Sequence, residues 1–247
     1  MGELISIRDI CERYLTPNDT LDPEIFNTNE QVHPELRSKL LKIADVVIKK
    51  SIIYIPGLRF HDICLRGSSA GYHYHEKSDL DVKIMISNEN CDFLTKNPEN
   101  FKVFIQMMKS IAMPNQKFFA NDRFVDVKLE IPRTGEHMGL YSLTRNEWIN
   151  KPDKNYLTSL DIDDVMEEYT KRFHKIKEHL FNIKQSGELS TLEGIYALQD
   201  YRSEIFQAAY TAPKEFVIFK LLQKRGITWE IRTLIDESTK TVLSLGL

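Results

Sequence analysis

Cysteine is scarce in this chain. Cys11, Cys64 and Cys91 form an odd set with no Cys-x-x-Cys pair, which argues against both a disulfide framework and a cysteine zinc site. Three reduced thiols suit a cytoplasmic protein. No apolar run approaches the ~18 residues that a membrane-spanning helix needs, so no membrane role is expected. The first residues lack a basic segment followed by a long apolar run, so no signal peptide is expected. Gly2 and Ser6 do fit the loose pattern for N-myristoylation. Positive charge is not in excess either. The net charge of −3 gives no overall basic field, so any contact with nucleic acid must use a local patch. Internal repeats and low-complexity segments are absent. What remains is an ordinary globular balance over 247 residues, 42% hydrophobic and 28% charged. That length holds one large or two small domains.

Periodicity divides the chain near residue 155. Ser6 to Leu15 reads as a short helix, with Ile7, Ile10, Cys11 and Tyr14 at helical spacing. Asp19 to Gln31 is polar and reads as loop. Pro34 suits the first turn of a long helix whose buried stripe is Leu36, Leu40, Ile43, Val47 and Ile48. Lys39, Lys42, Lys49 and Lys50 lie mostly off that stripe. A strand precedes Gly67 and a second runs from Asp79 to Ile86. Glu99 to Met113 shows helical spacing. Lys117 to Ala120 and Phe124 to Ile131 flank a hairpin turn at Asn121-Asp122-Arg123. Leu140 to Ile149 reads as a final strand or edge segment. Beyond Lys151-Pro152-Asp153 the pattern becomes helical. Asp161 to Lys184, Thr191 to Tyr210, Pro213 to Arg225 and Ile227 to Leu247 predict four successive helices with short links. The expected fold class is therefore α+β: a mixed or antiparallel sheet with helices over residues 1–155, followed by a helical domain over 156–247.

The chemistry gathers on one stretch. Arg66-Gly67-Ser68 is followed, after ten residues (69–78), by Asp79-Leu80-Asp81-Val82. Side chains alternate along a strand, so Asp79, Asp81 and Lys83 share one face while Leu80, Val82, Ile84 and Ile86 share the other. An apolar face points to a core. Two carboxylates side by side on the opposite face would repel each other unless a cation sat between them. The later strand alternates cleanly too, with Val125, Val127, Leu129 and Ile131 on one face and Phe124, Asp126, Lys128 and Glu130 on the other. Two divalent ions about 3.5–4 Å apart need bridging oxygen ligands, which carboxylates on adjacent strands supply. Gly67 lets a phosphate chain approach the backbone with no Cβ in the way, and Ser68 offers a hydroxyl and an N–H to it. Asp126 is the expected third acid, with Asp122 and Glu130 as alternatives.

This arrangement resembles the signature of the polymerase-β-type nucleotidyltransferase superfamily: a Gly-Ser turn, a spacer of this length, Asp-hydrophobic-Asp-hydrophobic, and a later strand acid. The resemblance covers roughly residues 55–131. It implies a mixed sheet and Mg2+-dependent (or Mn2+-dependent) transfer of a nucleoside monophosphate from an NTP, with ATP as default donor, to a hydroxyl acceptor with release of pyrophosphate. Gly67 and Ser68 would hold the triphosphate; Asp79, Asp81 and Asp126 would be the catalytic metal ligands. A helical domain closing over the nucleotide is also implied, with Lys214 and Lys220 as nucleotide contacts and Tyr201 and Arg202 as further candidates. The acceptor is read as an RNA 3′ end or a nucleotide. A small molecule, a protein hydroxyl, and a non-catalytic nucleotide- or RNA-binding module remain open.

Other residues carry two readings each. Lys83 and Lys128 either balance the charge of the acids or contact phosphate. His73 and His75 make a poor metal pair, since Mg2+ prefers oxygen, but Tyr72 or His75 can face substrate from the rim. Lys171-Arg172, His174-Lys175 and Lys177 form either a solvated helix face or the local basic patch that an RNA acceptor would need.

Overall fold

The strict alternation of Arg123–Glu130 builds the strand around which the sheet is arranged: its odd-numbered residues are buried and its even-numbered ones half-buried. A computed structural model describes residues 6–54, 58–75, 78–86, 117–130, 139–209 and 211–244. The helix expected over 99–113, Cys91 and the Gly2 pattern lie outside the described residues. The fold is α+β, and the chain forms two compact units. One runs from Pro17 to Lys154; the other joins the N-terminal helix to everything from Asn155 onward.

After the N-terminal helix α1 (Ile7–Leu15), the first unit holds the long helix α2 (Pro34–Tyr54) and a six-stranded mixed sheet. Its strands are β1 (Phe60–Arg66), β2 (Leu80–Ile86), β3 (Phe118–Ala120), β4 (Arg123–Glu130), β5 (Leu140–Ser142) and β6 (Glu147–Asn150), in the order β3-β4-β2-β1-β5-β6. Among the described strands β2 and β4 pair in parallel, and the other neighbours pair antiparallel. The apolar face of β2 and β4 packs under Leu36, Leu40, Ala44 and Val47 of α2. Ala44 takes the fully buried place expected of Ile43, which with Ile48 is only partly buried. The i, i+4, i+8, i+11 spacing is still one helical stripe.

Local turn chemistry explains two features. Asn121 and Asp122 both have positive φ (49° and 60°), the pattern of a type I′ turn, which matches the twist of the strands it joins. The stretch 140–149, expected as one strand or edge segment, is instead the hairpin β5–β6, because Asn146 at φ 61° reverses the chain. The polar stretch 19–31 is also more than loop. Leu21, Ile25 and Phe26 are buried, and Phe26 stacks on Trp148 at 5.1 Å while Tyr141 meets both rings edge-on. Buried Asp22 takes the Arg123 guanidinium at 2.6 Å, so the segment is anchored to the start of β4 by an ion pair shielded from water.

The second unit comprises α1 (Ile7–Leu15), α3 (Ile162–Ser186), α4 (Leu192–Ala208), α5 (Pro213–Lys224) and α6 (Ile227–Ser244). The sequence reading assigns α1 to the first domain, over 1–155. The structure instead packs it on α3 and α5, because Cys11 and Tyr14 turn one buried stripe toward the helical core. A capping box between Ser6 and Asp9 starts α1. Asp161 and Thr191 cap α3 and α4, and Pro213 opens α5. The α3 stripe is Val165, Tyr169, Ile176, Leu180 and Ile183.

Burial pushes the Cys11 thiol from 9.0 up to about 11, and the side chain is 0% exposed. The neutral thiol therefore stabilises the helical unit below pH 9, and that contribution is lost as pH rises through about 11. Iodoacetamide at pH 8 is expected to leave the Cys11 peptide unlabelled in the native protein and to label it fully in urea, as read by peptide mass spectrometry. Native labelling at the urea rate would contradict the packing of α1.

Candidate active site

The acid-bearing residues of the sheet are brought together by strand register. In the parallel β2–β4 ladder Asp81 is paired with Asp126, Leu80 with Val125, and Lys83 with Lys128. Neighbouring strands run about 4.8 Å apart, and paired residues point to the same face. Asp81 and Asp126 thus stand abreast on the face opposite the α2 core, with Lys83 and Lys128 abreast two residues further on. Glu130 is opposite Met85, four residues past the Asp126 position, and Asp122 is in the hairpin turn. Of the three acids considered for the later position, Asp126 is the one in register with Asp81.

Each aspartate is held by the lysine of its own strand. Lys83 Nζ lies 3.7 Å from Asp81 Oδ1, and Lys128 Nζ contacts Asp126 Oδ2 directly. Lys83 is nearly buried, and its pKa is lowered by burial first and then by the charge of Lys128, against the opposing pull of Asp81, Glu130 and Asp126. Arg66, also nearly buried, reaches from β1 past β2 to Glu130, 3.3 Å away. This ion pair was not assigned a role by sequence reasoning; nothing in local spacing connects residues 64 positions apart.

The Gly67 turn backs directly onto this row. Gly67 has φ 85° and ψ −163°, a region open in practice to glycine alone. A Cβ there would stand 2.5 Å from Asp81 Oδ2. The turn continues as a short 3-10 segment, Ser68–Ala70, closed by Ala70 N–H to Gly67 O at 3.0 Å and Gly71 N–H to Ser68 O at 3.2 Å. Ser68 is half-buried and Ser69 fully buried. Gly139 permits a second close approach, since a Cβ there would fall 2.0 Å from Ala70 O. Its role has no motif and was missed in the sequence.

Asp79 is exposed and immediately precedes β2. The loop leading to it is pinned by reciprocal bonds: Ser78 N–H donates to His75 O at 2.8 Å, and His75 N–H donates to Ser78 Oγ at 2.9 Å. Asn18 Nδ2 donates to both Tyr72 O and Tyr74 O at 2.9 and 3.0 Å. Among the described residues no group of three or more His, Cys, Asp or Glu side chains is gathered as a metal-ligand set. The donor chemistry of Asp81 and Asp126, hard oxygens on adjacent strands, is nonetheless that of a Mg2+ or Mn2+ site, and the missing Cβ at Gly67 gives the Asp81 carboxylate room against the turn.

The helical-unit candidates are not gathered in this way. Lys214, in the first turn of α5, pairs with Asp164 at 2.6 Å. Lys220 lies over the Phe216 ring at 5.5 Å. Six residues apart, the two lysines point about 120° from each other around the helix. Tyr201 packs on His179, ring centres 4.4 Å apart, and Arg202 lies over Phe206 at 4.9 Å. In the basic run, Arg172 is taken by Glu168 and Glu215, and Lys177 by Glu230, which favours a charge-balanced helix face over a nucleic-acid patch.

No family model matches the chain, and no curated protein matches it. Among solved structures, the STING-associated CdnE c-di-GMP synthase from Capnocytophaga granulosa is matched over 99% of this chain and 88% of that chain, at 12% identity and a TM-score of 0.25. Similarity at that TM-score does not establish a common fold.

Gly67→Ala is expected to lower stability by about 1–3 kcal/mol, the cost of forcing a side chain into that backbone region, as read from urea midpoints. Gly71→Ala is the matched control. Gly71 has an extended backbone at φ −155°, and its Cβ would meet nothing nearer than 3.8 Å. Equal midpoints for the two variants would show that the Gly67 turn does not require glycine.

Proposed function

We propose that the chain is a divalent-metal-dependent nucleotidyltransferase that moves a nucleoside monophosphate from an NTP, ATP by default, to a hydroxyl acceptor. The observation that carries this reading is the register pairing of Asp81 with Asp126 beside a glycine turn whose missing Cβ makes room for the Asp81 carboxylate. The acceptor oxygen forms a bond to the α-phosphorus, the bond from that phosphorus to the pyrophosphate oxygen breaks, and the hydroxyl proton leaves to solvent. Asp79, Asp81 and Asp126 would hold Mg2+ or Mn2+. The bound metal would supply a lowered acceptor pKa and neutralise charge on the pyrophosphate. The chain's own contributions are distinct. Gly67 lets the Asp81 carboxylate lie against the turn that would hold the phosphate chain, the Ser68 hydroxyl and N–H donate to its oxygens, and the Asn18-pinned loop holds Asp79 at the start of β2. An RNA 3′ end or a second nucleotide is the acceptor of this reading.

The lysine pairs support a second reading. Carboxylates already neutralised by Lys83 and Lys128 suit a module that binds a nucleotide without turning it over.

The test incubates the full chain with each labelled NTP, Mg2+ and total cell RNA, or with NTPs alone, beside an Asp79→Asn/Asp81→Asn variant. Release of pyrophosphate is expected from the wild type, falling at least about a hundredfold in the variant. NTP binding by calorimetry with no product from any acceptor would favour the non-catalytic module. Equal activity in the variant would remove these acids from catalysis.

A further inference from the structure

The acid row and the lysine row cancel. Asp81 and Asp126 stand abreast, Lys83 and Lys128 stand abreast, and each lysine turns back on the acid of its own strand. Arg66 and Glu130 cancel each other on the same face. Like charges directly across a ladder are unfavourable, and the along-strand pairs offset that repulsion on this face. A divalent cation arriving alone would find two of its three ligands, Asp81 and Asp126, already occupied by ammonium groups. A cation arriving with a polyphosphate brings its own anion.

The two lysines are not equivalent. The Lys83 side chain is 9% exposed and that of Lys128 38%. Lys83 is enclosed and serves as a fixed counter-charge to Asp81. Lys128 has room to turn. Resting on the nucleotidyltransferase reading, we propose that Lys128 is an exchanging counter-ion. It holds Asp126 while no metal is bound, releases it to the incoming cation, and turns its ammonium to the phosphate chain that enters with that cation. Metal and triphosphate binding are thereby coupled: each favours the other because the charge that Lys128 withdraws from Asp126 is the one it offers to the phosphate.

The probe is Mn2+, followed by its electron paramagnetic resonance signal, with the full-length chain and with inorganic tripolyphosphate present or absent. Wild-type protein is expected to bind Mn2+ weakly alone and at least about tenfold more tightly with tripolyphosphate. In Lys128→Met, Mn2+ alone is expected to bind about fivefold to tenfold more tightly, the effect of removing one unit charge near a divalent ion in a water-like medium. The enhancement by tripolyphosphate should be lost. Lys128→Arg, which keeps the charge, should restore the wild-type pattern, and matching circular dichroism spectra would show that the variants are folded. Wild-type binding with an unchanged Lys128→Met pattern would overturn the role of Lys128 and leave the metal site standing. No Mn2+ binding by wild type or Lys128→Met, with or without tripolyphosphate, would overturn both the metal-site reading and the exchange.

Discussion

The parallel pairing of β2 with β4 is the constraint on which the sheet unit depends. Parallel neighbours cannot be joined by a tight turn, and the chain travels from Ile86 to Arg123 before this contact forms. Once it forms, three things follow from one register. Leu80, Val82 and Ile84 meet Val125, Val127 and Leu129 to make the floor under α2. Asp81 meets Asp126. Lys83 meets Lys128. A slip of one residue would turn the apolar set outward and the acids inward, so the burial that stabilises the core is also what places the carboxylates.

Much of this was legible because alternation is a local signal. Phe124 to Glu130 show the inside-outside pattern directly in the sequence, and the pattern is the one observed. The Gly67 turn was legible because a glycine between an apolar strand and an acidic one has few structural reasons to be there. Its geometry supplies the reason: the Asp81 carboxylate fills the space that a side chain would need. What was not legible is mostly long-range. The Arg66–Glu130 pair, the contact of Gly139 with Ala70 O and the anchoring of Asp22 by Arg123 each join segments far apart in the chain. The split of 140–149 into two strands depends on a single positive-φ asparagine, a conformation that composition only weakly predicts.

The helical unit is legible in a different sense. Its caps, stripes and stops follow the periodic rules closely, with Asp161, Thr191, Pro213 and Gly226 at or beside helix boundaries. The rules describe each helix well and say nothing of its partners. Hence α1, a short amphipathic helix like many others, was grouped with the residues that follow it in sequence rather than with those that bury Cys11. Likewise the basic run on α3 looks like a patch until Glu215 and Glu230, from other helices, are seen against it.

The placement of α1 makes the sheet unit an insertion. Described residues on either side of Pro17–Lys154, α1 before it and the helices after Asn155, belong to one folded body, and Pro17–Lys154 forms another. A helix of nine residues is too short to persist alone in water, so α1 leaves the ribosome without a stable structure and acquires one only when the segment after Asn155 has been made. The inserted unit has no such delay. Its two ends are joined by Lys154 Nζ on Asp19 O at 3.1 Å, so it can close on itself while the remaining helices are still being translated. The N-terminal helix thus depends for its packing on residues that follow the whole sheet unit in sequence, whereas the sheet that carries the acids does not.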